Sequence, residues 1–91
     1  MRKKVADKVK IIADGEPPRP CLPLDDISVT VERVTAAGAG FAILSAMELL
    51  VAEAKKQKAN VIYDIQSRMQ PREGYLGNYY DLVYTARTCR A

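Results

Sequence analysis

The sequence predicts a small α+β domain, a β-β-α-β-β sheet with one helix packed on one face. Three observations predict it. Residues 27–34, 61–68 and 79–88 alternate apolar and polar side chains, the period of a strand with one buried face. Residues 41–58 change to a period of 3.6, which marks one amphipathic helix. The polar strand faces leave one side of the sheet to be covered, and a single helix suffices for that. A chain of 91 residues holds one domain, assigned to residues 9–91, behind a flexible basic terminus at residues 1–8.

The elements follow in order. Arg2, Lys3 and Lys4 open a solvated terminus, and Asp7, Lys8 and Lys10 interrupt the apolar run that a signal peptide would need next. Residues 9–13 (VKIIA) form a short apolar strand that stops at Asp14-Gly15. Pro17, Pro18, Pro20 and Pro23 then fix φ and remove donors, so this stretch is a stiff extended connector that holds Cys21. In the strand at 27–34, Ile27, Val29 and Val31 face one side, and Ser28, Thr30 and Glu32 the other. Asp25 and Asp26 point opposite ways along an extended chain, so they form a turn and not a carboxylate pair. Residues 36–40 (AAGAG) lead into the helix without the spacing of a phosphate loop. On the helix, Ile43, Met47, Leu50, Val51 and Ala54 make the expected core stripe, flanked by Leu44 and Leu49. Lys55, Lys56 and Lys58 suit its C-terminal dipole, and Asn60 stops it. In the next strand Val61, Tyr63 and Ile65 share a face. Residues 69–78, with one proline and two glycines, predict a mobile loop. Tyr80, Leu82, Tyr84 and Ala86 form the apolar face of the last strand, and Cys89 follows it.

Composition excludes much chemistry. The chain has no His, so Ser-His and Cys-His nucleophile pairs and His-based metal sites are ruled out. Two Cys cannot complete a structural zinc site. The expectation is a non-enzymatic chain with no catalytic residues, no metal and no cofactor. An enzyme reading would rest on Asp64, Arg72, Glu73 and Tyr75, which nothing in the sequence draws together. The net charge is +3, with basic ends and an acidic middle. Tyr63, Tyr80 and Tyr84 lie on apolar faces, which leaves Arg72, Tyr75 and Tyr79 as the candidate partner contacts. The expected partner is a protein or a second copy, not nucleic acid; a basic cytoplasmic or phage-type module contacting nucleic acid is the alternative. The longest weakly polar stretch, residues 36–52, contains Glu48 and falls short of the roughly 20 residues of a membrane crossing.

Strand directions make one chemical prediction. A right-handed crossover makes the strands on either side of the helix parallel, and the last strand returns antiparallel to the third. Cys21, before the second strand, and Cys89, after the last, then meet at one edge of the sheet. A disulfide there would staple a domain with a small core and would imply an oxidising compartment. The alternative is two free thiols in the cytosol.

A resemblance adds to this. The segment Val9-Lys10-Ile11-Ile12, then Glu16-Pro17-Pro18, then Cys21-Leu22-Pro23-Leu24-Asp25-Asp26-Ile27 resembles the start of a family of small bacterial envelope lipoproteins of unknown function. Ala54-Lys55-Lys56-Gln57-Lys58-Ala59-Asn60-Val61-Ile62 is similar to that family's helix-to-strand run, and the chain closes on a Tyr-rich strand and Cys89. The Rcs stress-sensor outer-membrane lipoproteins and YbjQ-type small proteins look like more distant relatives. The resemblance implies a periplasmic or outer-membrane location, with Cys21 and Cys89 as a structural disulfide. It implies membrane attachment only through a lipid anchor that this sequence does not contain.

Overall fold

The computed structural model describes residues 8–74 and 77–91. The expected flexible terminus at residues 1–8 therefore lies outside the described residues except for Lys8, and Tyr75 lies outside them too. The fold class is the expected one, an α+β sheet with a single helix on one face. The strands are β1 (Lys10–Ile11), β2 (Leu22–Pro23), β3 (Ile27–Val34), β4 (Val61–Gly74) and β5 (Gly77–Arg90). A 3-10 turn at Ala36–Gly38 leads into helix α1 (Ala39–Lys56).

β5 is the centre of the sheet. β4 pairs along one of its edges, and β3 and β2 share the other. β1 lengthens the sheet beyond β4, running parallel to it from Lys10↔Val61. β3 and β4 are thus parallel, as a strand-helix-strand crossover requires, with β5 inserted between them.

Residues 69–74 and 77–78 are not a loop. They complete an antiparallel hairpin whose register runs from Gln66↔Thr85 to Gly74↔Gly77. Proline and glycine misdirect here for a physical reason. Among the described residues, the outer side of β4 beyond β1 has no strand partner, and a proline on an edge strand costs the ladder no bond if its nitrogen faces away. Pro71, paired with Tyr80, occupies that kind of position. Gly74 is required by close approach, because a Cβ there would lie 2.6 Å from Cε1 of Tyr79 and 2.7 Å from the carbonyl oxygen of Gly77. Gly74→Ala is therefore expected to destabilise the domain by about 1–3 kcal/mol, read as a lower urea midpoint at unchanged slope. A neutral result would return residues 69–74 to an unpaired segment.

Two bulges change which side chains share a face. In β4 the register slips by one residue between Tyr63↔Arg87 and Gln66↔Thr85, and Asp64 takes φ 54°. Val61 and Tyr63 therefore lie opposite Cys89 and Arg87, while Ile65 packs on the core beside the helix. The expected shared face of Val61, Tyr63 and Ile65 is broken at this point. A second slip lies between Val31↔Leu82 and Val34↔Tyr80, with Arg33 at φ 60°.

The core lies between α1 and the inner sheet face, where Ile27, Val29, Val34, Ile62, Leu82, Tyr84 and Ala86 meet Ala42, Ala46, Leu50 and Ala54. The helix is rotated from its expected phase. Its buried row falls at every fourth residue, on three alanines and Leu50, and the alanines let the helix approach the sheet closely. Met47 and Val51 are only partly buried, and Ile43, expected in the core, is 45% exposed. Phe41, Leu44 and Leu49 are exposed as well. With its 3-10 turn, the helical segment Ala36–Lys56 spans 21 residues and contains an 18-residue window of mean hydropathy 1.5, long and apolar enough by length and composition to cross a membrane. That corrects the expectation that no stretch would qualify, which counted only to residue 52. In the fold this segment lies along the sheet.

The helix ends differently from expectation. Lys58, not Asn60, takes the left-handed conformation, φ 63°. Asn60 instead accepts from the Ala91 backbone N–H at 2.8 Å through its Oδ1. Gln57 sits at the centre of a polar knot. Its Nε2 donates to the Asp25 carbonyl at 2.8 Å and to Oγ1 of buried Thr88 at 2.7 Å, and Thr88 donates in turn to the Asp25 carbonyl at 2.8 Å. This knot ties the helix end and the entry to β3 to the end of β5 where Cys89 lies.

Candidate functional site

The sheet face away from α1 divides into a covered end and an open end. The covered end is made by the N-terminal segment. β1 lies outside β4 and β2 lies outside β5, so residues 12–21 must cross both strands between them. They cross on the outer face, where Glu16, Pro17, Pro18 and Arg19 face Tyr63 and Arg87 across an open groove of ≈ 770 Å³. The crossing is pinned by a Cys21–Cys89 disulfide with Cα atoms 5.5 Å apart. The predicted meeting of the two cysteines at one edge is therefore realised, with Cys89 buried and Cys21 half-buried.

The open end carries the second group of predicted residues. Arg72 and Tyr79 are direct cross-strand partners, so their side chains lie on one face. Asp81, next but one along β5, shares that face and is buried to 7% exposure. Both Nε and one terminal nitrogen of Arg72 reach Oδ2 of Asp81, each at 3.0 Å. The other oxygen, Oδ1, accepts the Arg33 backbone N–H at 3.3 Å, which the β3 bulge turns toward it. The Arg33 guanidinium stands 5.8 Å from the centroid of the Tyr79 ring, within cation–π range. Arg68, opposite Val83, lies on the same face.

The sequence located Arg72 and Tyr79 but missed Asp81 and Arg33. Asp81 reads as one more polar position of an alternating strand. Arg33 joins the group only through a bulge that no glycine announces. Tyr75 lies outside the described residues. The enzyme cluster is not assembled. Asp64 pairs with Arg87 at 4.0 Å, while Arg72 pairs with Asp81. Eight residues of one strand separate Asp64 from Arg72, about 26 Å at ~3.3 Å per residue. Among the described residues no group of three or more acidic or Cys side chains is placed to hold a metal ion.

The open end can do one thing chemically. It gathers Arg33 of β3 with Arg68 and half-exposed Arg72 of β4 beside Tyr79 of β5, and guanidinium groups attract anions. Asp81 organises the group, since one carboxylate fixes Arg72 and the backbone at Arg33. Asp81→Ala is expected to cost about 1–2 kcal/mol, because a charged hydrogen-bonded acceptor is lost while half-exposed Arg72 returns to water. A urea midpoint unchanged from wild type would show that the group is not held together by Asp81. No protein-family model, no curated protein and no solved structure matches the chain.

Proposed function

We propose that this chain is a non-enzymatic domain of the bacterial cell envelope, periplasmic or held at the outer membrane. It meets a protein partner through the open sheet face that carries Arg33, Arg72 and Tyr79. The Cys21–Cys89 disulfide carries this reading, because such a bond is compatible with an oxidising extracytoplasmic compartment and persists poorly in a reducing cytosol. The resemblance to small envelope lipoproteins supports the same location. The partner contact rests on half-exposed Arg72, held by Asp81, and on Arg33 beside the Tyr79 ring, basic groups that suit acidic side chains on a facing protein.

The test is thiol trapping during cell fractionation of a producing bacterium. The expected result is a chain in the envelope fraction that resists alkylation until reductant is added. A reduced chain in the cytosolic fraction would overturn the reading. The alternative, a nucleic-acid contact, is favoured by one observation, the Arg33–Tyr79 stack on a sheet face, where bases also stack. Salt-dependent binding of a single-stranded oligonucleotide would support that alternative, and no binding at low salt would remove it.

A further inference from the structure

We propose that the end of the domain where α1 stops is a docking surface for an anionic lipid bilayer, and that lysine side chains make the contact. This goes beyond the functional reading above, whose partner face lies at the other, hairpin end of β4 and β5.

Every lysine of the described residues gathers at this end. Lys55 and Lys56 stand in the last turn of α1. Lys58 follows the helix, and its carbonyl oxygen accepts Nη1 of Arg90 at 2.6 Å. Lys10 pairs with Val61, and its backbone N–H donates to the Asn60 carbonyl at 2.9 Å, so it stands beside the residues that follow Lys58. Lys8 precedes it by two positions. All five lysines and Arg90 are exposed. The polar knot of Gln57, Thr88 and Asp25 fixes the helix end to the end of β5, so these groups come from three segments on one frame.

Local structure does not explain the gathering. The helix dipole accounts for Lys55 and Lys56, but Lys8 and Lys10 arrive from the other end of the sequence. Acidic groups here are fewer. Glu53 pairs with Lys56 at 2.9 Å, Asp25 is exposed, and in the 91-residue chain the Ala91 carboxylate lies beside Asn60. Asp26 lies further along, lining a hollow with Arg87. The end is therefore net positive, and like charges held together repel unless an anion answers them.

The type of cation decides the occupant. Elsewhere Arg72 and Arg87 pair with carboxylates and Arg33 stands over a tyrosine. An ammonium is a hydrated point charge on a flexible stem, which suits the diffuse field of a lipid headgroup layer. Residues 8–11, 55–61 and 88–91 contain no aromatic side chain, so bases would find no stacking platform there. Clusters of about four to eight basic residues bind anionic bilayers through charge alone. Arg2, Lys3 and Lys4 precede Lys8 by six residues or fewer, a tether of about 20 Å at ~3.3 Å per residue, so the same surface can recruit them.

The experiment is cosedimentation of the oxidised full chain with vesicles of phosphatidylcholine, alone or mixed with an equal part of phosphatidylglycerol, in dilute buffer and with added sodium chloride. The expected result is binding to the mixed vesicles, none to phosphatidylcholine alone, and release as salt rises, because ions screen such attraction. Lys10→Gln with Lys55→Gln is expected to weaken binding by about thirtyfold, the share of two basic residues at a charged surface. Arg19→Gln with Arg87→Gln removes the same net charge from the outer sheet face and is expected to change binding by no more than about threefold. All four side chains are exposed, and thermal melts check that the variants fold. The purified chain is tested whatever compartment a cell gives it, so a failure here leaves the functional reading standing. Four results would overturn the proposal: no binding to the mixed vesicles in dilute buffer, equal binding to neutral ones, equal effects of the two double variants, or stronger binding to a duplex oligonucleotide than to the mixed vesicles at the same salt.

Discussion

Removing the Cys21–Cys89 disulfide is expected to lower the melting temperature by about 15–30 °C. The bond joins residues 68 apart. In the chain-entropy model a loop of that length contributes roughly 4 kcal/mol, and in a domain of this size each kcal/mol shifts the midpoint by about 4–8 °C. The structure gives a second reason for a large effect. Without the bond, the segment before β3 is held to the sheet by β1 and β2, each only two residues long. Their few hydrogen bonds include Lys10 N–H to the Asn60 carbonyl at 2.9 Å and Ile12 N–H to the Ile62 carbonyl at 2.9 Å. Loss of the bond therefore frees the crossing segment and uncovers Val61 and Tyr63 beneath it. Cys21→Ala is the cleaner variant, because Cys89 is 1% exposed and a serine hydroxyl there would add a desolvation penalty. Calorimetry of wild type with and without reductant, beside Cys21→Ala, makes the measurement. A shift below about 5 °C would mean that the bond contributes less than ~1 kcal/mol and that the crossing is held by other contacts.

Leu50→Ala is expected to cost about 3 kcal/mol, while Leu44→Ala changes stability by no more than about 0.5 kcal/mol when the chain is monomeric. The pair isolates helix phase. Leu50 is 0% exposed among Ala46, Ala54 and the sheet, so its truncation leaves a cavity that neighbouring alanines cannot fill. Leu44, six residues earlier, is 64% exposed. Both are leucines in one helix, so propensity cancels from the comparison. Urea midpoints at low protein concentration read the difference. Equal losses would place Leu44 in the core and rotate the helix back to the phase its hydropathy suggests.

That phase error shows where sequence reading stops. Hydropathy ranks Ile43 and Met47 above Ala42 and Ala46, but packing against a sheet rewards small side chains that let the backbone approach. The strand at 27–34 and the helix were legible because their periods are long enough to be unambiguous. The cysteine corner was legible because strand direction alone places it. The pairing of residues 69–74 with β5 was not, since an edge strand and a loop tolerate the same proline and glycines. Arg33 of the open-face group, and the side chains beyond Asp64 in β4, were hidden by bulges. Arg33 and Asp64 adopt positive φ without being glycine, and a one-residue slip reassigns every side chain beyond it.

The crossing segment also determines how the domain bears force. A pull on the chain ahead of Lys10 first unzips the two residue pairs of β1. It then draws taut residues 12–21, whose fully extended length is about 30 Å at ~3.3 Å per residue. Beyond that length the covalent link passes the load to Cys89 on β5, the strand bonded on both sides. With β3 and β4 held, further extension shears β5 against both of them, so an edge-first attachment becomes a mechanical anchor in the middle of the sheet.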